Sequence, residues 1–180
     1  HAAGLYIGLD AGSTTVKAVV VEPGSGAVLW RDYQRHETRQ QDMCLAFLER
    51  IERAFPETPA SAFRLFATGT GGMAASRHVG GCFVQEVNAV CLVVERLYPR
   101  TRSVVELGGE DAKIIFFRQD PVTGTLRKSA SMNDKCAGGT GAVIDKIAAK
   151  LGLSGERLMA MGYDGMTVHP IAGKCGVFAE

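Results

Sequence analysis

Apolar residues fall in short runs punctuated by glycine-rich polar turns, and the spacing within each run separates strands from helices. Leu5 to Leu9 reads as a buried strand and Ala18 to Val21 as another. Pro23-Gly24-Ser25-Gly26 then turns the chain into a third, antiparallel strand over Ala27 to Tyr33. Gln41 to Phe55 predicts an amphipathic helix, with Cys44, Phe47, Leu48, Ile51 and Phe55 on one face. Phe63 to Ala67 predicts a strand running into Thr68-Gly69-Thr70-Gly71-Gly72, a glycine-rich turn. Glu86 to Tyr98 predicts a second helix, with Val87, Val90, Cys91, Val94 and Leu97 on its apolar face. Cys44 and Cys91 read as core filler, and Cys82 as a loop or strand residue.

The pattern then repeats. Ser103 to Leu107 and Ile114 to Phe117 read as strands, Asp120 to Gly124 as a turn, and Ser129 to Asn133 as a short strand. A helix follows with Val143, Ile144, Ile147, Ala148 and Leu151 at helical steps, then a second over Ser154 to Met161 with Ser154 as N-cap. Met159, Met161 and Met166 read as packing residues, and Thr167 to Ile171 leads into a last loop. Glu106 stands 96 positions after Asp10, and the same offset pairs Gly12 with Gly108, Ser13 with Gly109 and Lys17 with Lys113. An acid-x-Gly-small-x-x-x-Lys hairpin therefore occurs twice, each time after an apolar strand. Chance repetition of a common polar hairpin is the alternative. A true repeat predicts two related domains, 1–102 and 103–180, with a nucleotide in the cleft between them. In such a turn glycine permits close backbone approach to phosphate, hydroxyls and N–H groups donate, and Lys17 adds charge. Asp10 could hold Mg²⁺ through water.

Composition enters by exclusion. At 46% hydrophobic and 22% charged residues the chain is of ordinary globular type. Net charge is +1 with no basic block, so nucleic acid is not an expected partner. No apolar run approaches the ~18 residues of a membrane helix, and no signal-peptide pattern opens the chain. Five cysteines, an odd number without a C-x-x-C pair, argue against a disulfide framework and for a reducing, cytoplasmic setting. His78 and His169 stand alone.

Two cysteines stand apart from the core pattern. Cys136 lies in Ser131-Met132-Asn133-Asp134-Lys135-Cys136-Ala137-Gly138-Gly139-Thr140-Gly141, immediately before a helix, where backbone N–H groups and the helix dipole favour a thiolate. Cys175 lies in Ala172-Gly173-Lys174-Cys175-Gly176. A four-iron cluster needs four thiolates, which two chains about a twofold axis would supply. Zinc, a redox disulfide and two structural thiols fit the same count, and spacing alone leaves all four open.

The runs Gly8-Leu9-Asp10-Ala11-Gly12-Ser13-Thr14, Leu107-Gly108-Gly109-Glu110-Asp111-Ala112-Lys113, Met132 to Gly141 and Cys175-Gly176-Val177-Phe178-Ala179-Glu180 resemble the activators of 2-hydroxyacyl-CoA dehydratases. That family includes the ATPase subunits of benzoyl-CoA reductase. The resemblance covers nearly the whole chain. It implies an α/β fold of the actin-like, ribonuclease H-like ATPase type (ASKHA), built from duplicated βββαβα domains, here with the second truncated. It also implies ATP or ADP with Mg²⁺ between the domains, and a homodimer sharing one 4Fe–4S cluster through Cys136 and Cys175 of each chain. Ferredoxin or flavodoxin would donate the electron, and a dehydratase or reductase would accept it. Asp10 and Glu106 become the catalytic candidates. Gly12, Ser13, Thr14, Thr15, Lys17, Gly108, Gly109, Glu110, Asp111, Gly138, Gly139 and Thr140 become the nucleotide contacts.

The chain departs from the family pattern at three positions. Glu106 stands where Asp is usual, Glu110 where Gln is usual, and Val90 where a His is common. The resemblance also implies a glycine-rich, adenosine-embracing segment beyond Cys175, so the 180-residue piece is expected to bind nucleotide weakly or not at all by itself. A phosphotransferase of the same fold, a sugar or acid kinase, would have no use for Cys136 and Cys175. A non-catalytic regulatory module would keep the fold without turnover.

Overall fold

The structure, a computed structural model, describes residues 4–133 and 140–162, together with 164, 165, 167, 169 and 170. The chain divides into two compact units, His1–Pro99 and Arg100–Glu180.

In the first unit β1 (Leu5–Ala11), β2 (Thr15–Val21) and β3 (Val28–Arg35) form an antiparallel meander. Helix α1 (Gln40–Ala54) crosses back, and β4 (Phe63–Thr68) enters parallel to β1. Helix α2 (Gly72–Val79), the short β5 (Cys82–Phe83) and helix α3 (Glu86–Leu97) complete it, giving a sheet of order β3-β2-β1-β4-β5. Alternation decides the core. Ile7, Leu9 and Ala11 of β1, Val16, Ala18 and Val20 of β2, and Leu65 and Ala67 of β4 all point to one face. Cys44, Phe47 and Ile51 of α1 cover them, with Trp30 edge-on to Phe47 at 6.2 Å between ring centroids. Strand β1 is thus buried on one face only: Tyr6 and Phe66 meet edge-on on the other, where both remain partly exposed.

In the second unit β6 (Ser103–Leu107), β7 (Ala112–Gln119) and β8 (Leu126–Asn133) form a second meander, followed by α4 (Gly141–Lys150) and α5 (Gly155–Ala160). Ile115, Phe117 and Ala148 are its buried apolar residues. Of the expected face of α4, Ile144 and Leu151 are exposed. Ser154 does cap α5, accepting from Arg157 N–H at 3.2 Å. Met159 and Met161, expected to pack, are exposed; the six-residue α5 packs against α4 among the described residues, and Met166 lies outside them.

Two further differences from the expectation have local causes. The strands reach closer to each hairpin tip than the apolar runs suggested, since Asp10, Thr15, Lys17 and Ala112 pair in the ladders despite their polarity or size. Helix α2 continues from the glycine-rich turn Thr68 to Gly72, where the sequence pattern predicts no helix. Its first residue is Gly72, and it stops at Gly80 (φ +70°), with the Gly81 N–H returning to Ser76 O at 2.7 Å.

Candidate functional site

The first hairpin is tighter than its sequence implied. Asp10 lies directly opposite Lys17 and Ala11 opposite Val16, so the loop proper is Gly12-Ser13-Thr14. Gly12 N–H closes it onto Thr15 O at 2.9 Å. Thr15 is itself buried and belongs to the frame, contributing through its carbonyl. Lys17 Nζ donates to Asp10 Oδ2 at 2.8 Å. Partial burial works to lower the Lys17 pKa, but the Asp10 hydrogen bond and the nearby charges outweigh it, and the ammonium ends above its ordinary value. The other carboxylate oxygen, Asp10 Oδ1, is buried and has no hydrogen-bond partner among the described residues. Beside it lies Gly69 at φ +83°, where a Cβ would come within 2.7 Å of Oδ1 and 2.5 Å of Ala11 O. One oxygen is paired with Lys17 and the other is buried against Gly69 without a partner, so the Asp10 carboxylate is held in one place at the end of β1.

The second hairpin repeats this geometry within the second unit. Glu106 lies opposite Lys113 and Leu107 opposite Ala112, and Gly108 N–H closes onto Asp111 O at 2.8 Å. Lys113 Nζ meets Asp111 Oδ2 at 2.8 Å and Glu106 Oε2 at 3.2 Å, with its side chain only 4% exposed against 47% for Lys17. Glu110 at the tip is exposed. The carbonyls of Gly108 and Gly109 accept from the N–H groups of Gly141 (3.0 Å) and Ala142 (2.8 Å), the first residues of α4. Thr140, the N-cap position, is fully buried.

Residues that the sequence did not mark hold the first hairpin from behind. Ala11 O accepts from Gly71 N–H at 2.9 Å and from Gln40 Nε2 at 3.1 Å, while Gly12 O accepts from Gln40 Nε2 at 2.7 Å. His36 Nε2 lies 3.2 Å from Gly12 O, and Thr70 Oγ1 reaches Ala11 O at 3.4 Å. The glycine-rich turn after β4 carried a signal, because a strand parallel to β1 delivers its end beside Asp10. Gln40, a polar residue at the start of an amphipathic helix, carried none. Away from the clamp, Asp10 and Lys17 sit at the polar end of an apolar cleft of about 600 Å³ flanked by Leu92, Val93 and Arg96 of α3.

Cys136, Gly138, Gly139 and Cys175 lie outside the described residues. Among the described residues no group of three or more His, Cys, Asp or Glu side chains could hold a metal ion. Cys44 and Cys91 are buried, as core filler should be, and burial pushes the Cys44 thiol up, away from the reactive form. Cys82 is exposed in β5.

Residues 7–180 match the model of the BadF/BadG/BcrA/BcrD ATPase family. The chain belongs to this family. Escherichia coli YjiL, an uncharacterized protein, is 32% identical over 174 residues, which cover 97% of this chain and 63% of YjiL. The (R)-2-hydroxyglutaryl-CoA dehydratase activating ATPase of Acidaminococcus fermentans is 28% identical over 97% of this chain and 64% of its own. The crystal structure of that organism's (R)-2-hydroxyglutaryl-CoA dehydratase component A superposes with a TM-score of 0.79 at 25% identity, covering 97% of this chain and 64% of that one. The activator of the 2-hydroxyisocaproyl-CoA dehydratase from Clostridium difficile, solved with bound ADPNP, gives 0.77 at 26% identity, covering 97% and 62%. The chain thus spans a little under two thirds of the length of these relatives. The fold is the α/β actin-like ATPase fold.

Proposed function

We propose that this chain is the nucleotide-responsive part of an ATP-dependent activator that passes a low-potential electron to a 2-hydroxyacyl-CoA dehydratase or benzoyl-CoA reductase type partner. Family membership and the relatives named as dehydratase activators support the reading. The observation that carries it is the second hairpin: the glycine carbonyls at its tip are bonded to the first two N–H groups of α4, the helix that directly follows the Cys136 segment.

In this reading Ser13, Thr14, Gly108 and Gly109 contact phosphate, the Asp10 carboxylate would hold Mg²⁺ through water, and Asp10 and Glu106 serve hydrolysis. The Lys113 ion pairs fix the Glu106 carboxylate, and Lys17 sets the rotamer of Asp10. A change in phosphate occupancy at Gly108 and Gly109 is passed through two hydrogen bonds to the start of α4, a local event biasing a larger element. Cys136 and Cys175 from each of two chains would hold a 4Fe–4S cluster, which supplies the low-potential electron when bound. Ferredoxin or flavodoxin is the class of donor that fits, in a cytoplasmic setting. Among the described residues no helix is long and apolar enough to cross a membrane.

The test is ATP hydrolysis by the native gene product beside its Asp10→Asn variant. Asparagine keeps the shape and loses the charge, so hydrolysis is expected to fall about 100-fold, the scale of removing one preorganised electrostatic group. A variant hydrolysing ATP at the wild-type rate would refute the assignment of Asp10.

A further inference from the structure

We propose that Gln40, assisted by His36, is a positioning residue for the phosphate hairpin, acting by turning the Gly12–Ser13 peptide so that the Ser13 N–H faces phosphate. This rests on the nucleotide reading above and adds a residue that lies outside every motif of the hairpin.

In a trans peptide the carbonyl and the following N–H point in opposite directions. The Gly12 carbonyl is held from behind by Gln40 Nε2 at 2.7 Å, with His36 Nε2 at 3.2 Å donating in its Nε2–H tautomer. The Ser13 N–H is therefore directed to the opposite side, away from α1. The same Gln40 amide also reaches Ala11 O, and His36 N–H donates to Thr14 O at 3.3 Å, so three carbonyls around the loop are fixed from one side. His36 is buried, which leaves the imidazole little freedom to swing out.

The connection that delivers these side chains is itself unusual. Glu37 and Thr38, both non-glycine, take positive φ values of 47° and 69°, and with Arg39 they carry the chain from His36, just after β3, to Gln40 at the start of α1. Left-handed backbone at two successive non-glycine residues persists only where the surroundings over-determine it. The second unit solves the same problem differently. There the helix after the third strand, α4, grips the Gly108 carbonyl with the backbone N–H of its first residue, Gly141. In both units the first residue of the helix after the meander holds the first glycine carbonyl of the hairpin, once by a side chain and once by the main chain. A carbonyl gripped at equivalent places by unlike chemistry points to the orientation of the peptide as the thing conserved within the molecule.

The experiment compares Gln40→Leu, which keeps the bulk and loses both donors, with His36→Phe, His36→Gln and a Gln41→Ala control on the native gene product. Three readouts are taken: the ATP dissociation constant, the melting temperature, and the backbone amide resonances of Ser13 and Thr14. Gln40→Leu is expected to weaken ATP about tenfold and to shift the Ser13 amide resonance, while its melting temperature stays close to that of the control. His36→Phe is expected to weaken ATP severalfold, and His36→Gln, which retains a side-chain N–H, to recover most of the loss. Unchanged affinity with an unmoved Ser13 resonance in Gln40→Leu would overturn the proposal. So would an affinity loss that merely tracks a large fall in melting temperature. If the wild type itself binds no ATP, the nucleotide reading fails, and the positioning claim is then decided by the Ser13 resonance alone.

Discussion

Residue by residue, the two lysines of the hairpins separate structure from function. Lys113 is nearly fully buried and neutralises two carboxylates, whereas Lys17 is half exposed, with Asp10 as its ion-pair partner and the Tyr33 ring beside it. Lys113→Met should therefore cost about 3 kcal/mol, the scale for breaking a buried ion pair by removing one partner. Lys17→Met should cost less than about 1 kcal/mol, as exposed pairs do. Urea unfolding of the two variants checks the contrast, and equal losses would contradict it. The Ser25 side-chain hydrogen bond, joined by the Ser25 N–H at 2.6 Å and the Gly24 N–H at 2.9 Å, holds the Glu22 pKa below the ordinary 4.5. A lowered carboxylate pKa means stability present above pH 4.5 and lost as pH falls through the folded value. The raised Lys17 pKa has the opposite sign: its contribution is complete below pH 10.5 and lost as pH climbs through the folded value. Glu22→Gln should lessen the acid-side loss of stability without abolishing it, since Asp120 is held low by the Thr123 and Val122 N–H groups in the other turn, and leave the alkaline limb, as thermal melts across pH would reveal.

Among the elements, legibility tracked how far each one depends on partners elsewhere in the chain. Strands β1, β4, β6 and helices α1 and α3 were readable because a single apolar face encodes each, and Ser154 because capping is local. Helix α2 was not, since its opening glycines are chosen for the approach of Gly69 and Gly71 to Ala11 and not for helix propensity. The role of Gln40 was invisible because its partners lie 28 and 29 residues away. Glycines with positive φ offer a test at this scale. At Gly69 a methyl would meet Ala11 O and Asp10 Oδ1, whereas at Gly80 nothing lies within 4 Å of the added carbon. Gly80→Ala should cost about 1 kcal/mol of backbone strain. Gly69→Ala should cost at least twice that and also impair ATP hydrolysis by displacing Asp10. Equal stability losses, with hydrolysis intact, would argue against the tight seat of Asp10.

For the molecule as a whole, the 96-residue echo proves deeper than the motif that revealed it. The turn after β2 and the turn after β7 are built alike too, at an offset of 98 rather than 96, so β7 with its turn is two residues longer: Gly26 N–H returns to Glu22 O and Gly124 N–H to Asp120 O, both glycines have positive φ, and both turns are bridged by an acidic side chain. Two meanders of the same design, each with a closed acid–lysine hairpin, support the proposed role of both hairpins in binding phosphate. The sequence could announce the pairing because hairpins are local, and it could not show the clamps behind them because those are not. Cys136 and Cys175 connect this frame to redox chemistry in the proposed function. The most direct measurement is therefore an anaerobic absorption spectrum of the native gene product, with iron and sulfide analysis, beside Cys136→Ser. A broad band near about 400 nm with roughly four irons per dimer, both lost in the variant, is the expected result. A protein that stays colourless after anaerobic reconstitution with iron and sulfide would contradict the shared cluster and, with it, the electron-transfer role.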